Sequence, residues 1–297
     1  MSAIVTEELT RRYGARRGVE DVNLRVPEGS VFGFLGPNGA GKTTTIRVLL
    51  GFLRPSGGRA TVLGMDCWKQ SRRVKREVGY VPGDLRLSAW MDGRSALSLF
   101  GAVRGVDLTP GGNRLAELLE LDLRVKVRRM SRGMRQKLGL ILAMAHDPRV
   151  LVLDEPTSAL DPLMQDRLRG YLRERARAGT TVFFSSHTLG EVESLCDRVA
   201  IVRNGRIVAD STLAELQRNA GHEVTIHWRG AAPTDGVPSG LRVRSSENGC
   251  WQGSLDGPVE PLIAWLNGRR VEDLTIQRPD LETLFRRFYE EKEETEG

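Results

Sequence analysis

Short apolar runs and helix-like spacings of apolar residues alternate along the chain. Three runs, at residues 30–35, 150–153 and 181–185, are mostly apolar and rich in β-forming residues, which predicts strands buried on both faces. Between these runs, apolar positions recur three and four residues apart, as they do on one face of an α-helix. Strands that alternate with helices indicate a mostly parallel sheet covered on both faces. The predicted fold class is therefore α/β.

Residues 85–145 have a different pattern, in which helical spacing dominates. Leu97, Phe100 and Val103 fit one helical face, and similar spacings recur further along the segment. We expect this segment to form a helical subdomain within a first domain that spans residues 1–220.

The pattern changes again near residue 220. Residues 222–228 alternate between apolar and polar side chains, as a half-exposed strand does. Apolar residues within 259–266 and within 281–288 recur at helical spacing, and a short strand is predicted between them near 271–276. We therefore expect a small α+β domain at residues 221–297, following the first domain.

Composition narrows the class of protein. The chain has 297 residues, 40% of them hydrophobic, and a formal net charge of +6. This composition excludes a wholly disordered chain and favours polyanionic partners without choosing among them. The longest uncharged apolar run, residues 138–145, is far shorter than the roughly 20 residues that a membrane-spanning helix needs. The three widely spaced cysteines and the lack of an apolar leader predict a cytosolic protein with reduced, buried thiols.

A phosphate-binding motif follows the first predicted strand. Residues 36–43 satisfy the pattern G-x-x-x-x-G-K-[ST]. Glycines allow successive backbone N–H groups to turn inward around an anion, and the helix that begins at Lys42 directs its positive end toward them. Lys42 supplies a charge for the β- and γ-phosphates, and the Thr43 hydroxyl is a ligand for Mg²⁺.

Two acids, Asp154 and Glu155, follow the apolar run 150–153. The carboxyl end of a strand is where α/β sheets bind their ligands. Asp154 can therefore hold Mg²⁺, and Glu155 can orient and deprotonate an attacking water. Together with the P-loop (residues 36–43), these acids predict a site for ATP and Mg²⁺.

Three further motifs, residues 131–136, residues 158–161 and His187, stand in a fixed order around these acids. The whole arrangement over residues 1–220 resembles the ATP-binding cassette (ABC) ATPases, which drive ABC transporters. The resemblance implies a P-loop NTPase cassette with a helical subdomain, followed here by the small α+β domain.

The resemblance also implies roles for individual residues. It makes Glu155 the catalytic base, His187 the residue that contacts the γ-phosphate, and Tyr13 the aromatic that stacks on adenine. The expected catalytic residues are therefore Glu155, His187 and Lys42. In this family two cassettes pair head to tail, and each places its signature motif, here residues 130–134, on the nucleotide of the other. The implied nucleotide contacts are Tyr13, Gly36, Pro37, Asn38, Gly39, Ala40, Gly41, Lys42, Thr43, Thr44, Ser131, Gly133, Met134 and Asp161.

Three positions depart from the family pattern. Gly83 stands where the family has a glutamine that touches Mg²⁺, so either water or Asp84 fills this position, and our hypothesis is that Asp84 is a metal ligand. In the signature, Arg132 replaces a glycine and Met134 replaces a glutamine. These variants are similar to those of the branch that exports drugs and antibiotics, which also tends to carry a small C-terminal domain.

The function we expect is the ATPase subunit of an exporter of a small molecule, such as a drug, an antibiotic or a lipid-like compound. It would form a homodimer, act beside a separate membrane permease and lie at the inner face of the cell membrane. An alternative is a soluble ABC ATPase that acts on nucleic acid or another non-transport partner, but residues 85–145 are too short for the coiled-coil insertion of such proteins. A second alternative, a non-enzymatic ATP sensor, is disfavoured because Glu155 is present.

Overall fold

The structure, a computed structural model, describes residues 1–14, 16–219, 221–233 and 235–278. The chain divides into two compact units, Met1–Ser211 and Thr212–Gly297. The boundary lies one short helix before the one expected from the sequence, because residues 213–219 cluster with the second unit. The predicted helix at 281–288 lies outside the described residues.

The first unit contains ten strands and seven helices among its described residues. The strands are β1 (Ser2–Tyr13), β2 (Arg16–Pro27), β3 (Val31–Leu35), β4 (Gly57–Val62), β5 (Met65–Asp66), β6 (Val78–Val81), β7 (Val150–Asp154), β8 (Thr181–Ser186), β9 (Arg198–Arg203) and β10 (Arg206–Thr212), the last ending at the first residue of the second unit. The helices are α1 (Lys42–Leu49), α2 (Ser71–Glu77), α3 (Gly93–Arg104), α4 (Thr109–Leu118), α5 (Arg132–Met144), α6 (Pro162–Arg177) and α7 (Leu189–Leu195), with a short 3₁₀ helix at Val127–Arg129.

Two sheets form the framework of this unit. One has the strand order β10-β9-β3-β8-β7-β6, and β3 pairs in parallel with both β8 and β9. Every residue of β3, β7 and β8 is buried, which explains why their sequences are nearly continuous apolar runs. The α/β fold with a parallel sheet is thus confirmed. The other sheet, β2-β1-β4-β5, is antiparallel and was not predicted.

One hydrophobic core joins the two sheets. Ile4 and Leu9 of the antiparallel sheet, Phe34 of β3 and Ile46 of α1 belong to the same cluster of buried side chains. The ring of Phe34 also packs on Phe183 of β8, with centroids 5.3 Å apart. Since α1 is held by apolar contacts on several sides, the loop between β3 and α1 is anchored at both ends.

Helices α3, α4 and α5 occupy most of the segment for which a helical subdomain was expected. The first turn of α3 is closed by a capping box, in which Asp92 accepts from the Ser95 backbone N–H and Ser95 Oγ accepts from that of Asp92. The hydrogen bonds from Ser95 lower the pKa of Asp92. The part of the chain described by the structure has no helix that is both long and apolar enough to cross a membrane.

The second unit is an α+β module. It contains α8 (Leu213–Asn219), β11 (His222–Trp228), β12 (Leu241–Glu247), β13 (Cys250–Leu255), α9 (Glu260–Leu266) and β14 (Val271–Gln277). Its antiparallel sheet has the order β12-β13-β11-β14. The hairpin β12–β13 turns at Asn248-Gly249, both with positive φ, which is the dipeptide that favours a tight hairpin turn.

The three cysteines carry free thiols but differ in environment. Cys67 and Cys196 are buried, and burial raises the pKa of both thiols, that of Cys67 to about 12. Cys250, on β13 of the second unit, is only partly buried, and its Sγ lies 3.8 Å from Nε2 of His227. The expectation of buried thiols therefore holds for two of the three.

Candidate nucleotide-binding site

The P-loop connects β3 to α1 and is shaped by glycines. A Cβ on Gly36 would lie 2.3 Å from the carbonyl oxygen of Val202, so no side chain fits there. Gly41 caps α1 with φ 110°, a conformation that L-residues rarely adopt. The loop can therefore bring its backbone N–H groups close to an anion.

The cost of a side chain at Gly36 can be measured. We expect Gly36→Ala to destabilise the chain by about 1–3 kcal/mol, because the new methyl group meets backbone rather than a flexible side chain. Urea denaturation is the measurement. Gly170→Ala is a matched control, since nothing lies within 4 Å of its Cβ position on α6 and alanine favours a helix by about 0.5–1 kcal/mol. Unchanged stability of Gly36→Ala would contradict the close approach.

Lys42 is the first residue of α1, and its side chain is buried at 5% exposure. Its Nζ donates to the carbonyl oxygens of Gly36 at 2.6 Å and Pro37 at 3.2 Å. It also lies 3.5 Å from Oε1 of Glu155. The Lys42 ammonium group therefore lies against the carbonyl groups of the P-loop and beside Glu155, which the sequence predicts to be the catalytic base.

Thr43 and Asp154 form the second part of the site. Thr43 Oγ1 donates to Asp154 Oδ2 at 3.0 Å, and Ser185 Oγ donates to Asp154 Oδ1 at 2.5 Å. Two ligands that bind Mg²⁺ at 2.0–2.1 Å in neighbouring octahedral positions are about 2.9 Å apart. The hydroxyl and the carboxylate thus have the chemistry and the separation that a magnesium ion requires.

Glu155 occupies a sharp turn at the end of β7. Its φ is 49°, which is unusual for a residue with a side chain, and its N–H donates to Ser185 O at 3.1 Å. Its Oε1 lies 3.2 Å from Nδ1 of His187, whose side chain is 48% exposed. The turn therefore directs Glu155 between Lys42 and His187, and the structure brings together all three residues expected to be catalytic.

A cavity of about 340 Å³ opens beside these groups. It is lined by Tyr13, Gly18, Pro37, Asn38, Gly39, Gly41, Lys42, Thr43, Thr44 and Glu155. Tyr13 is 40% exposed, and the Arg11 guanidinium lies 5.0 Å from its ring centroid. Ala40 does not line the cavity, because its side chain is buried in the core. Gly18 was missed, since a lone glycine outside a motif gives no signal.

The signature residues lie elsewhere. Ser131 caps α5 by accepting from the Met134 backbone N–H at 3.1 Å. A Cβ on Gly133 would lie 2.6 Å from Ala159 O, so the start of α5 lies against the segment that follows Glu155. Asp161 caps α6 by accepting from Met164 N at 3.0 Å. The residues that line the cavity of the same chain do not include Ser131, Gly133, Met134 or Asp161.

Gly83, rather than Asp84, lies beside the Asp154 carboxylate. A Cβ on Gly83 would lie 3.8 Å from Asp154 Oδ2. Asp84 accepts two hydrogen bonds from Arg86, at 3.0 and 2.9 Å, and is 77% exposed. Within the described part of the chain, Asp84 has no hydrogen bond or ion pair with Thr43 or Asp154. The pKa of the nearby Tyr80 is raised to about 12, first by burial and second by the charge of Asp154.

Two polar residues of the site were missed by the sequence reasoning. Ser185 lies opposite Asp154 in the parallel pairing of β7 and β8. A hydroxyl near the end of the predicted neighbouring strand could therefore have indicated a partner for Asp154. Glu191, on α7, accepts hydrogen bonds from Thr157 and Ser186. No motif marks it, because one of its partners, Thr157, lies 34 residues away in sequence.

Comparison with known proteins gives three findings. The family model described as ABC transporter matches residues 19–158. An ABC transporter ATP-binding protein of Nostoc sp. is 36% identical over 304 residues, covering 96% of this chain and 89% of the relative. A daunorubicin resistance ATP-binding protein of Streptomyces coeruleorubidus is 33% identical, covering 96% of this chain and 95% of the relative. The family match therefore includes the P-loop, Asp154 and Glu155.

A solved structure agrees with these matches. The ATP-binding subunit of an ABC transporter superposes on this chain with a TM-score of 0.68 and 29% sequence identity. The superposition covers 73% of this chain and 92% of that subunit.

Proposed function

The chain belongs to the ABC family of transporter ATPases, and from this premise we propose that it powers the export of a small molecule through a separate membrane permease. ATP hydrolysis coupled to transport is the activity of the family. The daunorubicin resistance relative supports an exporter of a drug or antibiotic. The permease, and a position at the cytoplasmic face of the membrane, follow from the transport role.

One observation carries the proposal: five groups with complementary chemistry contact one another at the cavity, and three of them line it. They are Lys42, Thr43, Asp154, Glu155 and His187. Lys42 and the loop amides bind the β- and γ-phosphates, and His187 contacts the γ-phosphate. Glu155 orients the attacking water and accepts its proton.

Thr43 and Asp154 would hold Mg²⁺. The ion would neutralise phosphate charge as it develops. Ser185 fixes the orientation of Asp154 by donating to the other carboxylate oxygen.

We propose that two copies of the chain complete each other's sites. Ser131 and Gly133 lie at the start of a 13-residue helix, where backbone N–H groups and the helix dipole favour an anion. They do not line the cavity of their own chain. A head-to-tail pair would place them on the nucleotide of the partner, which gives two composite sites per dimer.

The proposed function is tested with the purified chain. We expect phosphate release from ATP that requires Mg²⁺, together with ATP-dependent dimerisation measured by light scattering. A chain that neither binds ATP nor releases phosphate would overturn the proposal. Binding to DNA that weakens steeply with salt, with no effect of a permease on hydrolysis, would instead favour the nucleic-acid alternative.

The role of Asp84 has a separate test. Our hypothesis that Asp84 replaces the family glutamine requires it to leave Arg86 and turn toward Asp154. Asp84→Ala should then raise the Mg²⁺ concentration for half-maximal hydrolysis by about 10-fold, the loss expected when a group supporting a metal site is removed. Arg86→Ala, which frees Asp84, should lower that concentration or leave it unchanged. An unchanged Mg²⁺ requirement in Asp84→Ala would assign the position beside Gly83 to water.

A further inference from the structure

The Glu191 carboxylate joins two segments that lead to different groups of the site. Its Oε1 accepts from Thr157 Oγ1 at 2.6 Å, and its Oε2 accepts from Ser186 Oγ at 2.5 Å. Thr157 comes two residues after Glu155, and Ser186 directly precedes His187. Thr157 and Ser186 are 3% and 1% exposed, so water does not compete readily for either hydroxyl.

The charge of Glu191 determines which way these hydrogen bonds run. Among the described residues, no lysine or arginine forms an ion pair with Glu191. The hydrogen bonds from its two hydroxyl partners therefore compensate the charge of its carboxylate. An ionised carboxylate only accepts, and both hydroxyls must therefore donate to it. The Ser186 oxygen is then available as an acceptor, and it receives the Thr188 N–H at 2.9 Å.

Each segment is also fixed by contacts of its own. Gln136 Nε2 donates to Pro156 O at 3.0 Å, and Gln165 Nε2 donates to Thr157 O at 3.3 Å and to Leu160 O at 3.1 Å. Neither glutamine has a hydrogen bond, among the described residues, to the segment that carries His187. In the hydrogen bonds of the described residues, Glu191 is the side chain that bridges Thr157 to Ser186.

We propose that Glu191 is a positioning residue for ATP hydrolysis, which holds the segment after Glu155 and the segment before His187 in a fixed relative position. Glu191 touches no reacting atom in this arrangement and acts through Thr157 and Ser186. The inference rests on the roles proposed for Glu155 and His187. Its physical basis is that a small displacement of positioned groups lowers a rate far more than it lowers binding.

Helix α7 does not depend on this carboxylate for its place in the fold. Val192 and Leu195 are 0% and 3% exposed and anchor the helix in the core. Loss of the Glu191 carboxylate should therefore loosen the bridge while the helix remains docked.

The primary test compares Glu191→Ala with Glu191→Gln. The alanine variant removes both hydrogen bonds, so kcat should fall by about 10- to 100-fold while KM for ATP stays within about twofold. Glutamine still accepts from Ser186, and its amide can donate to Thr157 Oγ1, so this variant should keep kcat within about threefold of the parent. Glu174→Ala, at an exposed carboxylate of α6, is the control and should leave both parameters unchanged.

A mutant cycle separates positioning from a general structural effect. Thr157→Val and Ser186→Ala each remove one arm of the bridge. In the hydrogen bonds of the described residues, Glu191 is the side chain that connects these two hydroxyls. Their effects on kcat should be non-additive in the parent chain and should largely vanish in the Glu191→Ala background. If Glu191→Ala does not fold, the effects of Thr157→Val and Ser186→Ala on kcat are measured in the parent and in Glu191→Gln. The two effects should be non-additive in both backgrounds.

The outcomes are distinguishable. Additive effects of Thr157→Val and Ser186→Ala in the parent, or normal kcat in Glu191→Ala, would overturn the role of Glu191 while leaving the proposed function intact. An absence of hydrolysis in the parent chain would instead remove the proposed function itself. Equal losses of kcat and nucleotide affinity in Glu191→Ala would point to a structural role.

Discussion

Glu155→Gln should lower the rate of ATP hydrolysis by about 10³-fold and leave ATP binding nearly intact, because general base catalysis contributes about 10²- to 10⁴-fold. Glutamine has the same size and can occupy the same position between Lys42 and His187. It cannot take a proton from water. We expect the affinity for ATP to reside mainly in the loop amides and Lys42, which remain in place. The substitution removes only the negative charge that faces Lys42 at 3.5 Å.

The measurement compares phosphate release with the binding of a fluorescent ATP analogue. Because ATP would bind without being consumed, the variant should also accumulate as an ATP-bound dimer in light scattering. Glu174→Gln is the control, since the same chemical change on the exposed face of α6 should leave the rate unaltered. Near-normal turnover in Glu155→Gln would remove Glu155 from the mechanism.

Lys42→Ala is expected to act on binding rather than on the chemical step alone. Hydrogen bonds to a charged group contribute about 1.5–3 kcal/mol, which corresponds to about a 10- to 150-fold loss of ATP affinity. The substitution also leaves the Gly36 and Pro37 carbonyls without their buried donor. Some loss of thermal stability should accompany the loss of affinity.

Titration with a fluorescent nucleotide measures this effect directly. Lys69→Ala removes an exposed lysine far from the P-loop in sequence and should change neither affinity nor stability. An affinity of Lys42→Ala equal to that of the parent would mean that the loop amides bind the phosphates without help from the ammonium group. Together with Glu155→Gln, this variant separates groups that hold the nucleotide from the group that acts on water.

The sequence predicted the parallel sheet better than the antiparallel one, for a physical reason. Strands buried on both faces, such as β3 and β7, must be apolar throughout, and this pattern is visible without a partner. Strand β1 has only one core face, and irregularities interrupt its pairing with β2 at several points. These irregularities shift the alternation of buried and exposed residues, so a period of two is not evident in the sequence.

The same distinction applies to the site. Lys42, Thr43, Asp154 and Glu155 sit at the ends of regular elements, where motif and position together predict that they meet. Glu191 could not be found in this way, because its role depends on how α7 lies against two loops. Asp84 shows the opposite problem, since its place beside Gly83 in sequence does not determine which way its carboxylate turns.

Because the three thiols are unequally buried, alkylation of the unmodified chain can report the unfolding of the first unit. A maleimide reacts with the thiolate form of cysteine. A thiol that is buried and has a raised pKa therefore reacts slowly. Cys67 and Cys196 meet both conditions, whereas Cys250 is partly accessible. Brief alkylation of the folded chain should therefore attach a fluorophore to the second unit alone, and additional dye would appear only when the first unit opens.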